Sequence, residues 1–367
     1  ANSLGDDNKD VDQLQSMAFN NGLWGQFFPQ KWGGTLHKLQ DYLLIGYEEG
    51  RTEFAPTIFG GLATVDAYML EHYGSGFIHQ QFLQPLSEAK VSSAYAMTEP
   101  DQPGSIPATL CSTATFQNGQ WVINGRKWFI CNARKADYVT ILTCTDKQAP
   151  LSERFTLFVV PCATRGCNMV SANPVFGRFL GQGEYCFDNL HIEDKYRLGE
   201  LGQGLEIMQS RVTLGRLMRA IHWLGLADRC LELSYQRIHS QKGQIARLKD
   251  KQLIKQHIFD SYAAIESAKL LLKNCAEQYD NHEVDASFIN MTKVVAAKAL
   301  CKAADSALQI YGAEGVSNQT PIASIYQVAR TTRILDGADE ALINAVGSEL
   351  IRKHAHINPA DAFKYQV

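Results

Sequence analysis

Tyr95-Ala96-Met97-Thr98-Glu99-Pro100 and, further along the chain, Trp121-Val122-Ile123-Asn124-Gly125-Arg126-Lys127 are the two stretches that decide the fold of this protein. The first places a hydroxyl group and backbone amides on a loop that proline makes rigid, directly after the apolar residues Ala94–Met97. Such a loop is suited to hydrogen bonding with the edge of a heterocycle. The second stretch follows Gln117-Asn118-Gly119-Gln120, whose Asn-Gly pair predicts a β-hairpin turn.

The sequence around these stretches predicts a small β domain between two helical regions. Helical periodicity dominates from Val11 to Ala89 and returns from Gly204 onward, where the segment Thr292–Ile310 is apolar on most sides and is expected to be a buried helix that ends at Gly312. Between these regions the runs are short, β-branched or aromatic, and separated by turns. The predicted strands are Ala94–Met97, Ala114–Phe116, Trp121–Ile123, Tyr138–Thr143, Phe155–Val160 and Glu184–Phe187.

Composition excludes several classes of function. The 367 residues carry a net charge of -3 and contain no basic cluster, so nucleic acid is not an expected partner. No apolar run approaches the roughly 20 residues that a membrane-spanning helix needs. The nine cysteines show no Cys-x-x-Cys spacing and are expected to be reduced. Because the N-terminal stretch Ala1–Gln13 is polar and acidic, we expect a cytoplasmic or organellar matrix protein that is not secreted.

The two opening stretches resemble the middle domain of the acyl-CoA dehydrogenases, in which a Thr-Glu-Pro loop meets a flavin and a Trp-x-x-x-Gly-x-Lys hairpin follows. Further similarities occur in the expected order, and the resemblance covers nearly the whole chain. It implies an α+β, mainly helical fold with an N-terminal helical domain at 1–91, a small central β-barrel or sandwich domain at 92–203 and a C-terminal four-helix bundle at 204–367. The further segments are Gly22–Gly25, Pro29–Gly34, Arg216 with Gly225–Ala227, Gln309–Gly315 and Ile334–Glu340.

The resemblance implies a specific chemistry. In this family a carboxylate removes the α-proton of an acyl thioester while the β-hydrogen passes to flavin N5 as a hydride. Asp336 stands at the position of the base, Gly337 follows it, and Ser105 and Arg216 stand at substrate-binding positions. From the residues alone, Asp336 is instead interpreted as an Asx-turn or the N-cap that leads into a helix over Ala338–Ile351, a role that Asp-Gly favours.

The resemblance also implies a set of FAD contacts, several of which depart from the family pattern. Aspartate is one methylene shorter than the usual glutamate base, and Pro103 is an extra residue before the Gly104-Ser105 turn. Cys131 replaces a hydroxyl residue near N5, His239 replaces a phosphate-binding arginine, and Ala313 replaces a glycine. The implied cofactor residues are Tyr95, Met97, Thr98, Gly104, Ser105, Phe129, Cys131, His239, Gln309, Gly312 and Ala313.

Two hypotheses follow from the residues. The first is an FAD-dependent acyl-CoA dehydrogenase with weakened cofactor contacts, acting on acyl-CoA or another acyl thioester, assembled as a homodimer or homotetramer, with an electron-transfer flavoprotein as electron acceptor. The second is a related protein that has lost FAD and acts as a non-redox acyl-thioester enzyme, a binding protein or a complex subunit. No metal site is expected, since His354 and His356 lie in a C-terminal segment interpreted as a solvated tail.

Overall fold

A computed structural model describes residues 7–178, 181–283 and 285–355. The chain divides into two compact units, Ala1–Arg229 and Cys230–Val367, and the division falls within the long helix α7, which is defined below. The first unit contains short helices, all the strands in the described residues and most of α7, whereas the second is helical. The predicted order of helices, a β region and further helices is therefore confirmed, while the three domain boundaries stay predictions.

In the described residues of the first unit, six α-helices precede the strands. The longest of them, α1, ends just before a turn in which Gly22 has a positive φ of 68°. Apolar residues of the helices and of the segments between them pack against the β region, and Phe28, Leu70 and Leu83 are among those fully buried there. The helices are α1 (Asp7–Asn20), α2 (Leu39–Gly50), α3 (Ala55–Ile58), α4 (Thr64–Tyr73), α5 (Gly76–Ile78) and α6 (Gln84–Ser87).

Eight strands form one sheet with the order β6-β7-β3-β2-β4-β5-β8, and β1 pairs in parallel with β4. The six predicted strands are all present. The sequence did not predict the other two strands, because β6 is largely solvent-exposed and β8 has only two residues. The strands are β1 (Ser93–Ala96), β2 (Thr113–Gln117), β3 (Gln120–Ile130), β4 (Tyr138–Cys144), β5 (Phe155–Pro161), β6 (Cys167–Ala172), β7 (Gly183–Ile192) and β8 (Arg197–Leu198).

Both faces of the central strands are covered. Along β4, Tyr138 and Leu142 join the core shared with the helices, whereas Val139 and Ile141 join a second core to which strands β1–β7 all contribute. This explains why every residue of β4 is buried. The β2–β3 hairpin turns at Asn118 and Gly119, whose φ angles of 52° and 80° match the turn that the Asn-Gly pair predicts.

The second unit is organised around a buried helix. α10 packs against α9, α11 and α12, and its small residues Ala297, Ala304 and Ala307 are fully buried. It ends at Gly312, whose φ of 63° stops the helix as the sequence predicts. The remaining helices are α7 (Gly204–His239), α8 (Gln241–Ile245), α9 (Gln252–Asp280), α10 (Ala286–Tyr311), α11 (Ile322–Thr332) and α12 (Asp339–Lys353). In the part of the chain that is described, no helix combines the length and the apolar character that crossing a membrane requires.

Candidate functional site

The Thr-Glu-Pro loop is tied to the β3 strand by paired hydrogen bonds. The Thr98 hydroxyl donates to the carbonyl oxygen of Trp128 at 2.7 Å, and the Trp128 amide donates to the carbonyl oxygen of Thr98 at 3.0 Å. Gly104 lies against the same threonine, because a Cβ added there would come within 2.9 Å of Thr98 Cγ2. The structure therefore brings Thr98, Gly104 and the Trp128-Phe129 segment together.

A buried ion pair between Lys127 and Glu99 holds the Thr-Glu-Pro loop in place. Lys127, whose side chain has 0% exposure, donates to the Met97 carbonyl oxygen at 2.8 Å and to Glu99 Oε1 at 2.9 Å. The Glu99 carboxylate also accepts the backbone N–H groups of Cys111 and Ser112, at 2.7 and 2.8 Å. Glu99 and Lys127 thus have a structural task, which is to fix the backbone on either side of Thr98.

Burial and charge act in opposite directions on this pair. Burial lowers the pKa of Lys127 to about 8, although the Glu99 carboxylate raises it. Burial alone would raise the pKa of Glu99, but Lys127 and the N–H groups of Ser112 and Cys111 bring it below its ordinary value. The carboxylate is therefore ionised at neutral pH and anchors the loop.

The side chains around the loop differ in their exposure. Phe129 lies at an irregularity in the β3–β7 pairing, has a φ of 51° and is 49% exposed, so its ring is available to a ligand. Ser105 and Cys131 are also exposed, whereas Met97 is half-buried. These positions leave an accessible aromatic surface and polar groups at the edge of the β region.

Tyr95 faces a different environment. The Arg211 guanidinium lies 4.0 Å from the centre of its ring and pairs with the buried Asp66 carboxylate at 2.7 Å. The Tyr95 hydroxyl is buried and has no hydrogen-bond partner within the described residues. Burial raises the pKa of Tyr95, so the hydroxyl stays neutral and keeps its proton for donation.

In the second unit, Asp336 and Gly337 form a left-handed segment immediately before α12. Their φ angles are 54° and 104°, and Asp336 is half-buried. The N-cap of α12 is Ala338, which makes no side-chain capping hydrogen bond. The N-cap interpretation of Asp336 is therefore wrong, whereas the Asx-turn interpretation and the role as a base stay predictions.

The segment after Asp336 is held by three charged side chains. Lys293 of α10 donates to the Gly337 carbonyl oxygen at 2.8 Å and to Asp339 Oδ1 at 3.1 Å. Arg333 Nε donates to the other oxygen of Asp339 at 3.0 Å, and this contact raises the pKa of Arg333. The side chains of Lys293 and Asp339 both have 0% exposure. The Asp336-Gly337 segment is thus fixed to the core of the helical unit.

The His239 region and the Gln309–Gly315 loop also come together in the second unit, through Glu314. This carboxylate accepts hydrogen bonds from Arg237, at 3.2 Å, and from Lys242. Arg237 also lies over the Tyr311 ring, 5.4 Å from its centre. His239 itself is exposed, as are Gln309, Gly312 and Ala313. Arg237 and Lys242, which flank the predicted phosphate-binding residue His239 in the chain, are therefore paired with a carboxylate of the same unit.

Arg216 is half-buried within α7.

The sequence predicted residues that are expected to contact a ligand. It did not predict the residues that hold them in place. One signal was present: Lys293 stands in a helix expected to be buried, and a lysine there requires an anionic partner. Its partner Asp339 begins the next predicted helix. No group of three or more metal-ligating residues occurs within the described ranges, and His356 lies outside them.

Comparison with known proteins agrees with this geometry. Residues 94–190 match the family model "Acyl-CoA dehydrogenase, middle domain", and residues 202–351 match "Acyl-CoA dehydrogenase, C-terminal domain". A Mycobacterium tuberculosis protein named "Probable acyl-CoA dehydrogenase FadE2" is 30% identical over 94% of this chain and 86% of its own length. The chain belongs to the acyl-CoA dehydrogenase family.

Two further acyl-CoA dehydrogenase relatives are informative. A Mycobacterium abscessus structure described as a putative acyl-CoA dehydrogenase is 29% identical, with a TM-score of 0.86 over 94% of this chain and 87% of that one. The acyl-CoA dehydrogenase family member 11 of Mus musculus is 31% identical over 94% of this chain, which corresponds to 45% of the mouse protein. The chain thus spans about half the length of that relative, and it has the acyl-CoA dehydrogenase fold.

Proposed function

We propose that this acyl-CoA dehydrogenase family member is an FAD-dependent oxidoreductase that removes hydrogen from the α and β carbons of an acyl thioester such as acyl-CoA, with Asp336 as the base. The observation that carries the proposal is the left-handed Asp336-Gly337 segment, which is held by buried Lys293 and Asp339 and does not cap a helix. A carboxylate on a fixed backbone suits proton abstraction, because a misplacement of about 1 Å can cost on the order of a hundredfold in rate.

The residues of the first unit fit the ring system of a flavin. Phe129 offers an exposed aromatic face, and the backbone at Met97 and Thr98 is fixed by Lys127, as hydrogen bonding to a heterocycle edge requires. When bound, FAD supplies the acceptor for the β-hydride. Asp336 accepts the α-proton on its carboxylate, and the backbone amide beside it, with Gly337, is assigned to the thioester oxygen.

The residues expected at the cofactor's phosphates fit less well. Phosphate binding favours unpaired cations, but Glu314 pairs with both Arg237 and Lys242, and His239 replaces the arginine of the family pattern. Cys131 is also a poor hydrogen-bond donor where the family has a hydroxyl. We therefore propose that FAD binds more weakly than in a family member with the usual residues. A homo-oligomer and an electron-transfer flavoprotein as acceptor belong to the same proposal.

Two measurements test this function. The visible absorbance spectrum of the purified protein, before and after addition of FAD, reports whether a flavin binds. Asp336→Asn should then lower turnover of acyl-CoA with an artificial electron acceptor by at least about a hundredfold, since a general base is lost. Asp285→Asn is the matched control, because Asp285 caps α10 through the Phe288 amide and asparagine caps equally well. Equal turnover of Asp336→Asn and wild type would refute the base assignment.

A second candidate function is a non-redox one, favoured by the Glu314 ion pairs. A chain that binds no diphosphate can tolerate a carboxylate that neutralises the nearby cations, as Glu314 does. This candidate predicts no flavin spectrum even with excess FAD, together with retained binding of acyl-CoA. Stoichiometric FAD that survives dialysis would exclude it.

A further inference from the structure

Lys293 is a charged side chain in the interior of the helical unit. It lies on α10 among fully buried alanines, and its ammonium group donates to Gly337 O at 2.8 Å and to Asp339 Oδ1 at 3.1 Å. A buried ammonium is unfavourable unless it is paired and hydrogen-bonded. A hydrophobic residue would fill the interior of the helical unit without the cost of burying a charge. The presence of a lysine is therefore explained by the groups to which it donates.

Gly337 and Asp339, to which Lys293 donates, lie on either side of Ala338, immediately after Asp336. Asp339 also makes two contacts with Arg333. Arg333 Nε donates to Asp339 Oδ2 at 3.0 Å, and the Asp339 amide donates to the Arg333 carbonyl oxygen at 2.9 Å. The backbone from 333 to 339 is therefore closed into a loop through Asp339, and Lys293 joins that loop to α10. Asp336 lies inside the closed loop.

The conformation inside the loop needs such a restraint. Asp336 and Gly337 have φ angles of 54° and 104°, in the left-handed region that an aspartate occupies only when its surroundings enforce it. Without a fixed carbonyl at Gly337, the segment can relax toward right-handed backbone. That relaxation would redirect the Asp336 carboxylate.

We infer that Lys293 is a positioning residue for Asp336: through the Gly337 carbonyl and Asp339 it sets the backbone that aims the carboxylate. This inference rests on the proposed function. It also gives a reason why an aspartate, one methylene shorter than glutamate, can serve as base, because its reach is set by the backbone that Lys293 holds. The first unit uses the same arrangement, where Lys127 binds the Met97 carbonyl and the Glu99 carboxylate.

Lys293→Met tests the inference. The variant should fold, because Asp339 keeps its ion pair with Arg333 and methionine fills the space of the lysine stem. In the FAD-loaded protein we expect kcat to fall at least about tenfold with KM for acyl-CoA within about threefold of wild type, the pattern for misplacement of a group that acts in the transition state. Lys302→Met is the control, since Lys302 lies on the same helix and pairs with Asp260 near the surface.

A second readout does not depend on activity. Hydrogen–deuterium exchange over residues 333–339 should be at least about tenfold faster in Lys293→Met than in wild type, with no change in the Lys302→Met control. If Lys293→Met does not fold, Asp339→Asn replaces it, because asparagine keeps an acceptor oxygen while the charge that holds Lys293 and Arg333 is lost. The same local increase in exchange is expected.

The outcomes separate the two proposals. If Asp336→Asn is fully active, the proposed base is wrong, and the inference falls with it. If Asp336→Asn is inactive while Lys293→Met retains wild-type kcat and wild-type exchange over 333–339, the positioning role alone is refuted. If Lys293→Met loses activity and exchanges faster throughout the second unit, the lysine serves general stability, and the positioning role is again refuted.

Discussion

Replacing Lys127 by methionine should destabilise the β region of the first unit. Lys127 and Glu99 form a buried pair at 2.9 Å, and removing one partner of such a pair costs about 3–5 kcal/mol when the other is left without compensation. Here Glu99 keeps two backbone N–H bonds, at 2.7 and 2.8 Å, and hydrogen bonds to a charged group contribute about 1.5–3 kcal/mol each. The Met97 carbonyl, in contrast, loses the ammonium donor.

Because Glu99 is partly compensated, the expected loss in the free energy of unfolding lies at or just below the lower limit of that range, at about 2–3 kcal/mol. Urea denaturation followed by tryptophan fluorescence measures it, since Trp121 and Trp128 lie on the strand that carries Lys127. Lys135→Met is the matched control: Lys135 pairs with Asp12 at 2.7 Å near the surface, and such pairs are worth about 0–1 kcal/mol.

The difference in stability between wild type and Lys127→Met should also depend on pH. The pKa of Lys127 is lowered to about 8 in the folded protein, whereas an unfolded lysine titrates near about 10.4. Between these values the unfolded chain binds more protons, so this group makes wild type more stable as pH rises from about 8 toward about 10. The gap between wild type and Lys127→Met should widen over that range. A loss below about 0.5 kcal/mol at pH 7, or a gap that narrows as pH rises, would refute the reasoning.

Two further predictions concern charged groups at the candidate site. Lys127 and two N–H groups lower the pKa of Glu99 in the folded protein. The stabilisation that the Glu99 carboxylate provides should therefore be present above its ordinary pKa of 4.5 and be lost as pH falls through its lower folded pKa. A Glu99→Gln variant should lack this acid-dependent loss of stability in urea titrations. Glu314→Gln should raise FAD affinity roughly three- to thirtyfold by freeing Arg237 and Lys242, whereas Glu349→Gln should not. Glu349 is the matched control because it also pairs with an arginine and a lysine and its side chain is equally exposed, 29% in both; equal affinities of the two variants in fluorescence titration would count against the assignment.

The sequence alone determined the order of elements. Turn residues with an intrinsic backbone preference, such as Asn118-Gly119 and Gly312, marked the hairpin and the end of α10, and the structure has positive φ at each of them. The six predicted strands were identifiable because their apolar runs are short and bounded by turns. Strand β6 was not, since an edge strand with a mostly exposed pattern has the composition of a loop.

The candidate site was predicted only in part. The family resemblance predicts Thr98 and Asp336 as site residues, but nothing local in the sequence indicated that Lys127 would bind the Met97 carbonyl or that Lys293 would bind the Gly337 carbonyl. In each case the lysine lies far along the chain from the loop that it fixes. The partner of a buried charge is chosen by packing, because any of several carboxylates could satisfy it equally well in sequence terms.

Tertiary structure also decided the roles of individual carboxylates. In the sequence, Asp336 is interpreted as a base, an Asx-turn or a helix cap, and Glu99 belongs to the Thr-Glu-Pro loop expected to meet a flavin. In the folded chain Asp336 precedes α12 without capping it, Glu99 neutralises a buried lysine and Glu314 pairs with two cations. Residue type sets what a side chain can bind, whereas burial and the distance to distant partners set what it does bind, and those follow only from the packing of the whole unit.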